Sequence, residues 1–172
     1  LLRDFDFTAW DDIYELLNAQ SGKYISSGSY RLIKDRDFLL LTEEKEETIN
    51  TFKLDENVNL FEVENINLSI ERVDSVLPVE NTTAIFDKEM LKYPLTLRKW
   101  QEADYFYPFG MRGKKKVSKF FKDEKFSTLD KENTWLLCSG KDIIWVVGHR
   151  TDERYKVEPG AHNLLKFTAT YV

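Results

Sequence analysis

Six basic side chains, Arg112, Lys114, Lys115, Lys116, Lys119 and Lys122, fall between Gly110 and Lys122 with no acid among them. The whole chain carries −5, so the residues outside this stretch carry −11. A cationic patch on a net acidic protein draws one face towards a polyanion. Lysine and arginine neutralise phosphates, and turn amides at Gly110 and Gly113 would donate to the same oxygens. Such contacts set affinity and not sequence choice, because phosphates carry no base information. Trp100, Tyr105, Phe106, Tyr107 and Phe109 flank the run as stacking surfaces and core anchors. The bland alternative for the run is a solvated helix face.

The other reactive groups are sparse. Arg98 and Asp104 bracket Trp100, and two readings stand: a phosphate ligand with its orienting acid, or an internal salt bridge. Asp87 ends an apolar run and would cap a following turn. His149 and His162 are the only histidines and Cys138 the only thiol, with no pair at metal-ligand spacing, so each reads as a packing or surface residue. Ser21-Gly22-Lys23 resembles the end of a phosphate loop. It lacks the upstream glycine and follows a helix where a strand is required, so it reads as a turn. No catalytic constellation stands out.

The elements that position these groups follow from periodicity. Thr8 with Asp11 reads as a capping box opening a helix over residues 9–19, with Trp10, Ile13, Leu16 and Leu17 as its apolar face. Residues 30–33 and 38–41 are apolar runs around Lys34-Asp35-Arg36-Asp37, a hairpin pattern. Residues 43–64 hold eight acids against two lysines and read as a solvated loop or edge. Alternation over residues 68–73 predicts a strand with one wet face. Residues 84–86 and 95–97 read as short strands, and 107–110 as a turn. Val117, Phe120 and Phe121 share one helical face; Lys115, Lys119 and Lys122 share another, as an outward row. Residues 135–138, 143–147 and 164–168 read as strands.

Composition bounds the rest. With 172 residues, 42% hydrophobic and 14% aromatic, the chain can bury a substantial core. No apolar stretch reaches the length of a membrane-spanning helix, and no charged-then-apolar leader opens the chain. A single cysteine excludes an intrachain disulfide framework and fits the cytoplasm. The start at Leu1 reads as the middle of a longer polypeptide.

PLTLRKWQEADYFYPFGMRGKKKVSKFF at residues 94–121, followed by Trp135-Leu136-Leu137 and Ile144-Trp145-Val146-Val147-Gly148-His149-Arg150, resembles the C-terminal domain of the bacterial tRNA(Ile)-lysidine synthase family. Arg98, Asp104, Phe106, Pro108, Gly110, Lys114 to Lys116 and Trp145 to Arg150 take the places of the family pattern. Ala103 stands where that pattern has glycine. The resemblance covers residues 84–157, and residues 1–42 resemble the end of the family's middle domain with its hairpin. It implies a small β-rich module with a short helix, similar to one in the phenylalanyl-tRNA synthetase beta chain, that contacts the tRNA acceptor region.

Pattern and resemblance together lead to an α+β fold: an N-terminal helix plus hairpin, then a β-rich, sandwich-like C-terminal domain with a short lysine-rich helix. The expected domains are 1–80, a remnant of the middle domain, and 84–172, the tRNA-binding domain. The resemblance implies that the full-length enzyme uses ATP and Mg2+, held by an N-terminal pyrophosphatase-loop domain whose motif this chain lacks, to attach lysine to the wobble cytidine of an isoleucine tRNA. This chain is then expected to be inactive alone and to hold no cofactor. The expected tRNA contacts are Arg98, Arg112, Lys114, Lys115, Lys116, Lys119 and Lys122. The other expected partners are its own N-terminal catalytic domain and a second copy, with no membrane. The rival reading is a non-catalytic interaction module whose basic face docks an acidic surface, such as residues 43–64.

Overall fold

The structure is a computed structural model describing residues 2–44, 51–76 and 79–172. In chain order the elements are α1 (Trp10–Leu17), β1 (Tyr24–Ser26), β2 (Tyr30–Asp35), β3 (Phe38–Glu43), β4 (Thr51–Leu54), β5 (Leu60–Val63) and β6 (Ile66–Val73). There follow β7 (Thr83–Asp87), β8 (Leu95–Lys99), β9 (Tyr105–Phe106), β10 (Lys115–Lys116), α2 (Val117–Asp123) and α3 (Thr128–Asn133). The last are β11 (Trp135–Ser139), β12 (Asp142–Val146), β13 (Arg150–Thr151) and β14 (Leu164–Tyr171). They form two compact units, one of residues 2–44 with 125–132, the other of 51–76, 79–124 and 133–172. No helix among the described residues is long and apolar enough to cross a membrane.

The first unit packs α1 with the antiparallel sheet β1-β2-β3 through a core of Phe7, Ile13, Leu16 and Leu32. The expected hairpin is present. Asp35 pairs with Phe38 across a two-residue turn, where Arg36 takes a left-handed φ of 52°. The expected capping box does not form: Ala9 is the N-cap and no side chain caps the first turn. Of the four apolar positions expected to be buried on α1, only Ile13 and Leu16 are; Trp10 and Leu17 are each 47% exposed. A capping box missed by periodicity opens α3, where Ser127 N–H donates to Asp130 (2.8 Å) and Asp130 N–H to Ser127 Oγ (3.0 Å). Arg31 on β2 holds Glu132 through two hydrogen bonds of 3.1 and 2.7 Å, fixing this excursion to the hairpin.

The second unit is a β-sandwich. One sheet has the order β13-β12-β11-β8-β4, the other β5-β6-β14-β7. Alternate residues of both sheets meet in one core: Leu97, Trp135, Leu137 and Trp145 from the first, Leu68, Phe86, Phe167 and Ala169 from the second. All five residues of β11 are buried, so both faces of that strand are covered. The mixed α+β architecture and its sandwich-like half are as expected. The grouping of strands differs from the expected division at 80/84. β4 pairs with β8, and β6 runs along the whole of β14, so residues 51–76 belong to the C-terminal unit. Pairing across more than ninety residues between β6 and β14 leaves no local trace in the chain. The acidic stretch does read correctly as edges, because β4 and β5 are both outer strands. Residues 45–50 of that stretch lie outside the described residues.

Candidate nucleic-acid interface

The basic run is held by a two-stranded ladder. Tyr105 pairs with Lys116 and Phe106 with Lys115, and Val117 N–H donates to the Asp104 carbonyl at 2.9 Å. α2 starts directly after this ladder. Val117, Phe120 and Phe121 are all buried, as their spacing requires. Phe106 stands edge-on to Phe120 (centroids 5.3 Å apart) and Trp100 edge-on to Phe121 (5.5 Å). Two aromatic contacts thus anchor the helix and leave its other face to solvent.

The lysines divide by where the helix begins. Lys119 and Lys122 on α2, Lys116 on β10, and Lys114 and Arg112 in the preceding turn are exposed. None of the five has a carboxylate partner within salt-bridge distance among the described residues. Lys114 lies over the exposed Tyr105 ring at 5.0 Å. Lys115 breaks the expected outward row. It sits on β10, not on the helix, and its ammonium pairs with Asp123 at 2.7 Å. The Asp123 carboxyl is lowered mainly by the hydrogen bond from Lys115. Lys115 therefore ties β10, just ahead of α2, to the last residue of the helix.

Arg98 is also paired within the protein. Its guanidinium grips Asp104 with two bonds of 2.7 and 2.8 Å, and Asp104 also accepts from Gln101 N–H at 2.7 Å. The pair is present as an internal salt bridge. It closes the loop between β8 and β9 and so supports the ladder beneath the lysines. Cys138 is buried beside it. Burial pushes the thiol up to about 11, against the opposing pull of the Arg98 charge. A raised thiol pKa stabilises the fold fully below the unfolded thiol's range, and that contribution is lost as pH climbs through about 11. At mildly alkaline pH, a disulfide reagent should label Cys138 only after denaturant unfolds the chain; prompt labelling of the folded protein would contradict this burial.

The turn ahead of the lysines is fastened by a residue that the patterns did not single out. Asp152 is fully buried. Its carboxylate accepts from Tyr107 N–H (2.9 Å), from Arg154 N–H (2.9 Å), and from the Arg154 guanidinium at 2.9 and 3.0 Å. Arg154 reaches Asp142 as well (2.9 Å) and lies 4.3 Å over the Tyr107 ring, and its pKa is raised chiefly by the hydrogen bond to Asp152. Phe109 N–H donates to Thr151 O (2.9 Å) and Gly110 N–H to Glu153 (2.8 Å). The expectation that Gly110 offers its amide to a phosphate is thereby corrected, since Glu153 already takes it. The left-handed φ of 77° at Gly110 and 81° at Gly113 lets the chain turn into β10. Only the position of Asp152, just past the Trp145 to Arg150 motif, offered a clue to its role.

The remaining candidates play local parts. Asp87 caps the short turn after β7, accepting from Glu89 N–H at 3.0 Å, as expected. Gly22 sits in a turn whose N–H donates to Lys34 O at 2.8 Å. The His162 ring contacts Gly160 O at 3.2 Å. Among the described residues, no three His, Cys, Asp or Glu side chains converge to hold a metal ion.

Comparison with known proteins bears on this arrangement. The family model described as "TilS substrate binding domain" matches residues 1–45, and "TilS substrate C-terminal domain" matches residues 95–167. A tRNA(Ile)-lysidine synthase of Parabacteroides distasonis is 42% identical over 171 residues, covering 96% of this chain and 39% of the relative. One of Bacteroides thetaiotaomicron is 40% identical over 149 residues, covering 86% of this chain and 33% of the relative. The chain thus spans a third to two-fifths of the length of these curated relatives. A solved structure, "Crystal structure of TILS C-terminal domain", superposes with a TM-score of 0.63 at 16% identity, covering 72% of this chain and 98% of that one; at this identity the likeness speaks to fold.

Proposed function

Because the chain belongs to the tRNA(Ile)-lysidine synthase family, carrying its substrate-binding and C-terminal domains, we propose that it binds tRNA through the face formed by β9, β10 and α2. The observation that carries this reading is the set of five exposed cations without carboxylate partners, Arg112, Lys114, Lys116, Lys119 and Lys122, on a rigid aromatic base. Unpaired exposed cations give the strongest counterion release when phosphates bind. Arg98 and Lys115 support this face and do not belong to it.

In this reading the chain positions tRNA for a reaction carried out elsewhere in a cytoplasmic enzyme. That enzyme uses ATP to adenylate the wobble cytidine of an isoleucine tRNA; the lysine amine then displaces AMP to give lysidine. ATP and Mg2+ belong to the catalytic domain, and this chain alone turns over neither. Phosphate contacts alone do not choose an isoacceptor, so the chain contributes affinity and register.

A filter-binding titration against isoleucine tRNA and a DNA duplex of equal length, at low and moderate salt, tests the proposal. The expected result is tighter binding of tRNA, with affinity falling steeply as salt rises. Equal, feeble binding of both would sink it. Salt-sensitive self-association without RNA binding would instead favour the basic face docking an acidic protein surface.

A further inference from the structure

A cleft of about 430 Å³ opens in the second unit between the outer edge of β7 and the outer strand β13. Its inner wall is Phe86, Trp145 and Tyr155, all buried in the sandwich. At its mouth stand Phe109, 46% exposed, and Arg150. Arg150 donates to the Phe109 carbonyl at 3.4 Å and has no carboxylate partner within salt-bridge distance among the described residues. Phe109 belongs to the turn that continues into Arg112 and Lys114, so the mouth of the cleft is continuous with the basic face. We propose that this cleft takes one unpaired nucleotide of the bound RNA, with its base against Phe109 and the apolar wall and its phosphate on Arg150.

The inference rests on the tRNA-binding reading and adds a place for a nucleotide outside the duplex. Three observations favour a nucleotide. The volume lies within the range of small-ligand sites, roughly 300–1,000 Å³. An aromatic ring at the mouth with a cation beside it is the pairing that holds single-stranded bases, which stack on a π-face while an adjacent phosphate is neutralised. The turn that carries Phe109 runs on within five residues into Arg112 and Lys114, which brings the cleft's mouth close along the chain to the first cations of the basic run. An extended peptide adding to β7 would use the same opening, but it has no need of Arg150 or of a pocket ending at Trp145.

Two RNA hairpins with the same stem, one blunt and one with a short 3′ overhang, decide the matter by fluorescence anisotropy. For the unmodified chain the overhang should tighten binding by about tenfold. Phe109→Ala and Arg150→Gln should each remove most of that gain, weakening the overhang hairpin more than the blunt one, because only the overhang places a nucleotide in the cleft. Equal affinity for the two hairpins, or a gain that survives both substitutions, would overturn the cleft assignment while leaving the lysine face intact. Failure to bind either hairpin would overturn the tRNA-binding reading and this inference with it. Protection of β7 amides on self-association, with the overhang gain untouched by either substitution, would reassign the edge to strand addition by a second copy.

Discussion

Asp152→Ala lowers the unfolding free energy by about 3 kcal/mol, with little change in the denaturant slope. The carboxylate is fully buried and satisfies two backbone N–H groups and a guanidinium at once. Removing it leaves Tyr107 N–H and Arg154 N–H without acceptors in a dry place, and Arg154 keeps only Asp142. Arg154 is itself partly solvated, so the loss stays near the low end of what breaking a buried ion pair costs. Asp152→Asn keeps an acceptor oxygen but turns the other towards donors as an amide, and falls between alanine and the native residue. Glu153→Ala, which removes an acceptor for Gly110 N–H and a surface ion pair with Lys156 (3.5 Å), should cost at most about 1 kcal/mol. Urea unfolding of the three variants orders them. If Asp152→Ala matches Glu153→Ala, the buried carboxylate does not organise this turn. RNA affinity should fall with Asp152→Ala as well, because Tyr107 and Phe109 lead the chain into the basic face.

Replacing Lys116, Lys119 and Lys122 together by glutamine lowers the salt slope of tRNA binding by roughly three and weakens binding by on the order of a hundredfold at moderate salt. Each lysine that neutralises a phosphate releases its counterion, so the effect scales with the number of contacts and is the same for every tRNA. Lys115→Gln provides the contrast. Lys115 is spent on Asp123, and the pair is near the surface, so its loss costs α2 little stability and leaves the salt slope where it was. Arg98→Gln likewise should act on stability through Asp104 and not on the slope. An unchanged slope in the triple variant, or a Lys115→Gln effect as large as the triple's, would remove the lysine face from the binding surface.

Local periodicity made a good part of this protein legible. The burial of Val117, Phe120 and Phe121 follows from helical spacing alone, and so does the exposure of Lys119 and Lys122 opposite them. The β2–β3 hairpin is written in two apolar runs around a charged turn, and the wet and dry sides of β6 in its alternation. The capping residue Asp87 and the exposed aromatics beside the lysines are visible for the same reason. Each depends on neighbours within a few positions along the chain.

The sequence by itself determined where positive charge concentrates, which residues must be buried beneath it, and the motifs that carry the family. Only the tertiary structure decided which cations are left free for a ligand. The β9–β10 ladder makes α2 begin at Val117, and that one boundary moves Lys115 from the outward row to a partner at Asp123. A loop closing on Asp104 gives Arg98 an internal partner. Asp152 acquires its role by meeting Tyr107 forty-five positions away, and residues 51–76 join the C-terminal unit by pairing with β8 and β14. Charge and hydrophobicity are properties of single residues and short windows, whereas the pairing of a charge is a property of the space around it, which the strand order creates.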